Sequence, residues 1–262
     1  MNIIVFVKLV PDTNNVQWTA NNNIDRANTD CIMNPADKSA IAAALDLKSK
    51  NGANITVISM GPKNAETVLR EAVAMGVDNA VLLCDSKFAG SDTCATSKVL
   101  AAVIKEKYPD TDLILFGQSA IDGETAQTGP SVAVRLNLQF LTHIKEINIL
   151  DENTIIVKQE TQQNISQYKA ALPVALCIEN YVIKPELPRI AGYIKAQDYE
   201  IKEFNRFDLN LKEDETGVKG SPTWVTKVFR HDLTRNCNLI NAEENCEYSE
   251  IFLQEVQKAM VD

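Results

Sequence analysis

Gly117, Gly123 and Gly129 recur at six-residue intervals through DLILFGQSAIDGETAQTGP, the stretch from Asp112 to Pro130. Glycine at such positions lets backbone bend sharply or approach a ligand without an intervening Cβ. The apolar run Leu113 to Phe116 has the character of a strand buried on both faces. The pattern then predicts a helix opening at Glu124 or Thr125, with Pro130 in its first turn, where a missing amide has no partner to lose. The amides of Ala126, Gln127 and Thr128 would stand free above the strand, and a helix N-terminus favours an anion, typically phosphate. The chemistry expected is binding of a phosphate-bearing nucleotide. A tight strand-to-helix turn that binds nothing has the same spacing. Neither GxGxxG nor a P-loop sequence occurs, so the usual nucleotide signatures lend no support.

Other chemistry finds little footing. The six cysteines, Cys31, Cys84, Cys94, Cys177, Cys237 and Cys246, form no C-x-x-C pair and read as reduced, mostly structural thiols. With His143 and His231 the only histidines, zinc or iron–sulfur ligation lacks its repeated close spacing, and no metal is expected. A net charge of −9 without any basic run argues against a nucleic-acid surface. No run approaches the ~20 apolar residues of a membrane span. MNIIVFVKLVPDT lacks a basic leader and a cleavage site, so it reads as a first strand of a cytoplasmic protein.

The elements that would position the loop follow an alternating order. A chain of 262 residues, 45% of them hydrophobic, can bury a sizeable core. Strands are expected at Ile3 to Val7, Asn54 to Ser59, Ala80 to Cys84 and Leu113 to Phe116. Between them, Asn34-Pro35 opens a helix that Asn34 can cap, a second helix runs to Met75 before Gly76, and Asp92 or Thr93 starts a third to Lys107. Such alternation implies an α/β, doubly wound, mostly parallel sheet. Ligands of these sheets sit beyond the carboxyl ends of strands, so the turns after Phe6, Ser59, Cys84 and Phe116 should converge on one crevice. Asn14 to Asp30 suits an exposed hairpin or loop. Past Leu138, short β-rich runs (His143 to Leu150, Thr154 to Gln159, Ile165 to Tyr168, Val174 to Ile178) are expected to extend the sheet or pack on its edge. From Tyr181 periodicity fades, which more often marks a segment wrapping a partner. A last amphipathic helix, Glu243 to Met260, could pack on its own domain or on a second subunit. The division expected is 1–184, a nucleotide-binding domain, and 185–262, an arm that wraps a partner.

The loop resembles the adenine-nucleotide loop of electron transfer flavoprotein beta subunits. VKLVPDT (Val7 to Thr13), MNPAD (Met33 to Asp37), SMGP (Ser59 to Pro62), LREAVAMGVD (Leu69 to Asp78), FAGSDTCATS (Phe88 to Ser97) and GSPTWVTKVF (Gly220 to Phe229) also resemble segments of that family, in the family's order. The resemblance implies an adenine nucleotide alpha hydrolase-like fold with a C-terminal arm that wraps a partner, the alpha subunit. It also implies that the pair moves electrons between flavin dehydrogenases of acyl-CoA or other type.

In such pairs the beta subunit holds AMP, or a second FAD in forms that oxidise NADH and split its electrons between acceptors, one of them ferredoxin or flavodoxin. Asp122-Gly123-x-Thr125-Ala126-Gln127 and Gly90-Ser91-Asp92-Thr93 are similar to the two-FAD, electron-bifurcating form, Gly123 leaving room for an isoalloxazine. Family contacts carried onto matching positions are Phe6, then Asn34, Pro35, Ala36 and Asp37, Met60 with Gly61, and Gly90, Asp92 and Thr93. In the loop they are Gly117, Gln118, Ser119, Ala120, Ile121, Asp122, Gly123, Thr125, Ala126, Gln127, Thr128 and Gly129. No catalytic side chain is implied, since hydride acceptance belongs to the flavin. Gln118 and Ser119 depart from the family's Arg or Lys followed by Gln, removing a cation that could steady pyrophosphate or reduced flavin. Lys38 and Ala42 stand where acidic residues are common. Lys184 to Ala196 resembles the loop that engages the dehydrogenase, with Leu187 as candidate anchor or as ordinary surface packing. The alternatives are an AMP-holding carrier, a subunit without cofactor, and a nucleotide hydrolase or stress-type module.

Overall fold

Strand β1 (Asn2–Val7) is buried from its second residue onward, and its two faces feed two separate cores. Ile3, Val5 and Val7 point to one face of the sheet; Ile4 and Phe6 point to the other. A strand covered on both sides can be apolar without alternation, which is the reason this run shows none. In the computed structural model, residues 1–12, 30–180, 185–224, 226, 252–254 and 256–257 are described. The chain forms two units, Met1–Val228 and Phe229–Asp262.

In the first unit, β2 (Leu9–Pro11) pairs antiparallel with β3 (Cys31–Met33), leading into helix α1 (Pro35–Asn51). There follow β4 (Asn54–Met60), α2 (Glu66–Met75), β5 (Asn79–Leu83), α3 (Thr93–Lys107), β6 (Leu113–Gly117) and α4 (Thr128–Leu136). Pro35 occupies the first turn of α1, while Gly52 and Gly76, with φ of 72° and 117°, end α1 and α2 in left-handed conformation. Ile41 and Leu47 of α1 and Val68, Leu69 and Ala72 of α2 pack on the odd-residue face of β1. Val99, Leu100 and Val103 of α3 and Val132 of α4 pack on the even-residue face. The result is an α/β, doubly wound sheet of nine strands among the described residues, in the order β11 (Lys202–Phe204), β5, β4, β1, β6, β10 (Val174–Ile178), β7 (Gln139–Asp151), β8 (Thr154–Glu160) and β9 (Ile165–Ala171).

The core strands β5, β4, β1, β6, β10 and β7 run parallel, as alternation predicted. Strand β10 (Val174–Ile178) is not an edge extension: it lies between β6 and β7 (Gln139–Asp151), parallel to both, and all five of its residues are buried. Of these runs, β8 (Thr154–Glu160) and β9 (Ile165–Ala171) extend the edge beyond β7, antiparallel. Beyond residue 184, elements too short to show periodicity are present: α5 (Ile190–Gln197), β11 (Lys202–Phe204) and α6 (Gly217–Gly220). β11 pairs parallel with β5 and buries Phe204 against the α3 side.

Most of the Asn14 to Asp30 loop lies outside the described residues, as does most of the expected helix Glu243 to Met260, within which 252–254 and 256–257 are helical. Among the described residues no helix is long and apolar enough to cross a membrane.

From β1 the chain builds outward through β4 to β5, then α3 carries it back to β6 on the other flank of β1. The order therefore reverses between β1 and β6, and an open sheet splays its connections apart just there, outside the carboxyl ends of those strands.

Candidate functional site at the sheet's switch point

Asn34 stands immediately before Pro35, whose ring disfavours helical backbone in its neighbour, and its φ of −50° and ψ of 125° are those of extended chain. Its side chain makes no capping bond; the expected cap role falls to the backbone alone. Instead Nδ2 donates to Asp37 Oδ1 at 3.0 Å and to the Ser119 carbonyl at 2.9 Å, and Oδ1 accepts from the Ile121 amide at 3.2 Å. With 1% of its surface exposed, Asn34 is a buried tie between the start of α1 and the loop after β6.

Asp37, one turn into α1, accepts from the Lys8 amide at 2.8 Å, from Asn34 and from the Gly117 amide. Burial pushes its carboxyl up to about 7, against the pull of those three donors and of the nearby Lys8 charge. The ends of β1 and β6 thus meet on one buried acid at the first turn of α1. Gly117 makes the meeting possible. A Cβ there would collide with Asp37 Oδ1 and with the backbone of Ala36 and Asp37. Its glycine serves helix–strand approach and not a ligand. Gly129 is similar, a Cβ there meeting the rings of Phe140 and Phe116. At Gly123 a Cβ would meet nothing within 4 Å, so this glycine alone of the three faces open space.

Helix α4 begins at Thr128, three or four residues later than the sequence pattern predicts. The intervening residues form a turn in which the Gly123 and Glu124 amides both donate to the Ala120 carbonyl, at 3.2 and 2.8 Å. Glu124 and Ala126 then take left-handed backbone, φ 48° and 53°, which ends any helix before it starts. The main-chain amides of Thr125, Ala126, Gln127, Thr128 and Gly129 donate to no described residue. Left-handed Ala126 is followed by Gln127 at φ −96° and ψ −19°, and successive residues of opposite hand turn consecutive amides to one side, as in anion-binding nests. Among the described residues the amides expected to be free therefore have no acceptor, through a turn and not a helix. A diphosphate-bearing group fits this donor set.

The other expected residues divide. Phe6 stacks on Phe116 with centroids 5.2 Å apart and interplanar angle 22°, and Phe140 meets Phe116 edge-on at 6.5 Å. Phe6 thus packs in the core beside the carboxyl ends of β1 and β6. Thr93 joins the loop through its hydroxyl, 3.4 Å from Gln127 Oε1. Asp92 caps α3 by accepting from the Ala95 amide at 2.9 Å, while its other oxygen accepts from the amide and hydroxyl of Thr223 at 3.1 and 2.8 Å. Gly90, at φ +74°, packs tightly on Val218. Gly90 and Asp92 hence hold the 217–223 segment. Gly61 donates to the Leu83 carbonyl at 3.1 Å, so Met60 and Gly61 join the turns after β4 and β5.

Sequence reasoning gave Lys8 no role, although it lies inside VKLVPDT. Its ammonium reaches both carboxylate oxygens of Asp122, at 2.8 and 2.7 Å. A lysine one residue beyond a central strand of a doubly wound sheet was the available signal. Among the described residues no group of three or more His, Cys, Asp or Glu is placed to hold a metal. A cavity of about 710 Å³ does exist, but Asn2, Asn54, Asn79 and Tyr108 among its walls place it at the amino ends of the strands, away from this site.

The winding of the sheet and the tied loop at its reversal define a doubly wound α/β protein of the type that receives ligands at a switch point. Residues 22–208 match the electron transfer flavoprotein domain family. The chain is 40% identical over 237 residues to the electron transfer flavoprotein subunit beta of Thermoanaerobacterium thermosaccharolyticum, covering 90% of each. It is 38% identical over 231 residues to the caffeyl-CoA reductase-Etf complex subunit CarD of Acetobacterium woodii, covering 87% of each. It is 37% identical over 240 residues to the acryloyl-CoA reductase electron transfer subunit gamma of Anaerotignum propionicum, covering 87% of this chain and 88% of that one. The chain belongs to the electron transfer flavoprotein family, among its beta subunits.

Proposed function

We propose that this chain binds FAD in the switch-point crevice and, paired with an alpha subunit, oxidises NADH. One electron passes towards the alpha subunit and a flavin dehydrogenase, the other to ferredoxin or flavodoxin. The observation that carries the reading is the loop from Gly117 to Gly129: amides free from Thr125 onward, open space at Gly123, and its base tied by Asn34. Free amides suit the diphosphate. Space at Gly123 suits a ring system larger than adenine alone.

When bound, the flavin supplies hydride acceptance. The chain's own residues orient the loop: Asn34 fixes Ser119 and Ile121, and the buried Phe6–Phe116 stack packs the ends of β1 and β6 together. The Ala126 to Gly129 amides present positive dipoles to a charge developing above them.

CoA-thioester reductases in the names of the relatives from A. woodii and A. propionicum support an acyl-CoA-type dehydrogenase as the partner served. Leu187, 90% exposed, precedes α5, on which Ile190 and Ile194 are also exposed, and exposed apolar side chains in one short stretch suit docking on that partner. Residues 1–184 would form the flavin-binding domain, and 185–262, which also lend β11 to its sheet, the loop and arm that engage the other proteins. A cytoplasmic setting accords with this reading.

Co-expressing the chain with its alpha partner and counting bound FAD and AMP tests the proposal. Two FAD per pair is expected. One FAD plus one AMP would make this the AMP-holding carrier, and a colourless pair that added FAD cannot restore would mark a subunit without cofactor.

A further inference from the structure

Between Gly117 and Pro130 the loop contains two carboxylates, Asp122 and Glu124, and neither lysine nor arginine. Its amides offer dipoles but no full positive charge. Among the described residues the cation in contact with it is Lys8, and the way Lys8 is held is unusual. Its amide donates to buried Asp37 at 2.8 Å and its carbonyl accepts from the Asn34 amide at 2.9 Å. The backbone at Lys8 is therefore fixed to the same buried group that receives the end of β6. Its side chain, half-exposed, crosses to Asp122 and engages both oxygens.

The anchors of the loop come in order. Asn34 holds Ser119 and Ile121, Lys8 holds Asp122, and past that point the next side-chain contact is the 3.4 Å one between Thr93 and Gln127. Among the described residues the Lys8–Asp122 pair is thus the last firm tie before the exposed run whose amides have no described acceptor. We propose that Lys8 is a positioning residue: by holding Asp122 it sets where the amides of Thr125 to Gly129 stand, and so sets the affinity and pose of the diphosphate-bearing ligand. This rests on the nucleotide reading above.

The test uses the full chain co-expressed with its alpha partner and stripped of nucleotide, as wild type, Lys8→Met, Lys8→Arg, Asp122→Asn, and the exchange Lys8→Asp with Asp122→Lys. FAD and AMP are titrated, visible circular dichroism of bound flavin reports its pose, and melting of the stripped protein reports folding. Lys8→Met and Asp122→Asn should each weaken binding by about fivefold, the upper end for a solvent-accessible ion pair. Both should alter the dichroism, Lys8→Arg and the exchange should recover most of the loss, and stripped melting temperatures should stay within about 2 °C. If Asp122→Asn binds as well as wild type or better while Lys8→Met is weak, Lys8 contacts the ligand directly and the proposal falls. It also falls if both variants bind as wild type, or if the loss tracks a lowered melting temperature that arginine does not restore. A wild-type pair that takes up neither FAD nor AMP sinks the nucleotide reading and this proposal together; indifferent variants of a binding wild type sink this proposal alone.

Discussion

The side-chain amide of Asn34 donates to the buried carboxylate of Asp37, one turn along the same helix, at 3.0 Å. The same nitrogen donates to the Ser119 carbonyl, so one side chain couples the start of α1 to the loop that follows β6. A buried amide with partners on both sides leaves several groups unsatisfied when removed. Asn34→Ala should lower stability by about 2–3 kcal/mol by denaturant unfolding, because Asp37, Ser119 and Ile121 each lose a bond. It should also weaken nucleotide binding more than an equally destabilising core change does. Comparison with Leu69→Ala, a fully buried core residue of α2, separates the two effects.

Asp37 gives a pH dependence with an unusual sign. Its carboxyl lies near 7 in the folded chain through burial, against ~3.9 for an unfolded aspartate. Between those values the native state binds more protons than the unfolded one, so stability falls as pH rises through the window and is level above it. The span is about 4 kcal/mol at 1.36 kcal/mol per unit. Asp37→Asn removes the titration but offers one acceptor oxygen where three donors converge. Unfolding free energies should therefore place the variant below wild type at pH 4.5, with the gap narrowing towards pH 7.5. A constant gap across that range would show that Asp37 does not titrate there.

The two loop glycines should respond in opposite ways. Gly117→Ala forces a methyl into the backbone at the first turn of α1 and should cost about 1–3 kcal/mol or more. Gly123→Ala places its methyl in open space, at a residue whose φ is not left-handed, so unfolding free energy should change by less than about 1 kcal/mol. Its effect should appear in flavin binding alone. Circular dichroism melts paired with FAD titration check both.

These glycines also mark how far the amino-acid order was legible. The strands β1, β4, β5 and β6 and helix α3 could be read because each is long enough to show an apolar run or a cap such as Asp92. The burial of β10 between β6 and β7 could not, since Val174 to Ile178 reads the same at an edge as in the middle, and its place depends on which strand it meets. Nor could the late start of α4: left-handed Glu124 and Ala126 break no propensity rule that residue type reveals, and the turn at Ala120 is selected by Asn34, far away in sequence. The motif residues at the strand ends come from the family resemblance, together with the rule that ligands of such sheets sit beyond the carboxyl ends of strands. Lys8 was passed over because its partner Asp122 lies 114 residues on.

Helix α5 offers the last measurable consequence. Gly192 lies so close to α2 that a Cβ would strike the Ala74 carbonyl, and Arg70 of α2 donates to the carbonyls of Ala196, Gln197 and Tyr199 at 2.8, 3.2 and 3.0 Å. Those carbonyls at the end of α5 have no helical partner of their own, so Arg70 closes the helix while Gly192 seats it. The exposed residues Ile190, Tyr193 and Ile194 are thereby presented from a fixed base. Gly192→Ala should lift α5 off α2, lower stability by about 1–3 kcal/mol, and accelerate hydrogen exchange in 190–197 with little change in the crevice. Arg70→Met should do the same more mildly. If α5 carries the docking surface proposed above, electron transfer to the dehydrogenase should show a raised KM for that protein with flavin content unchanged. Normal KM with faster exchange would assign the docking role elsewhere on the chain.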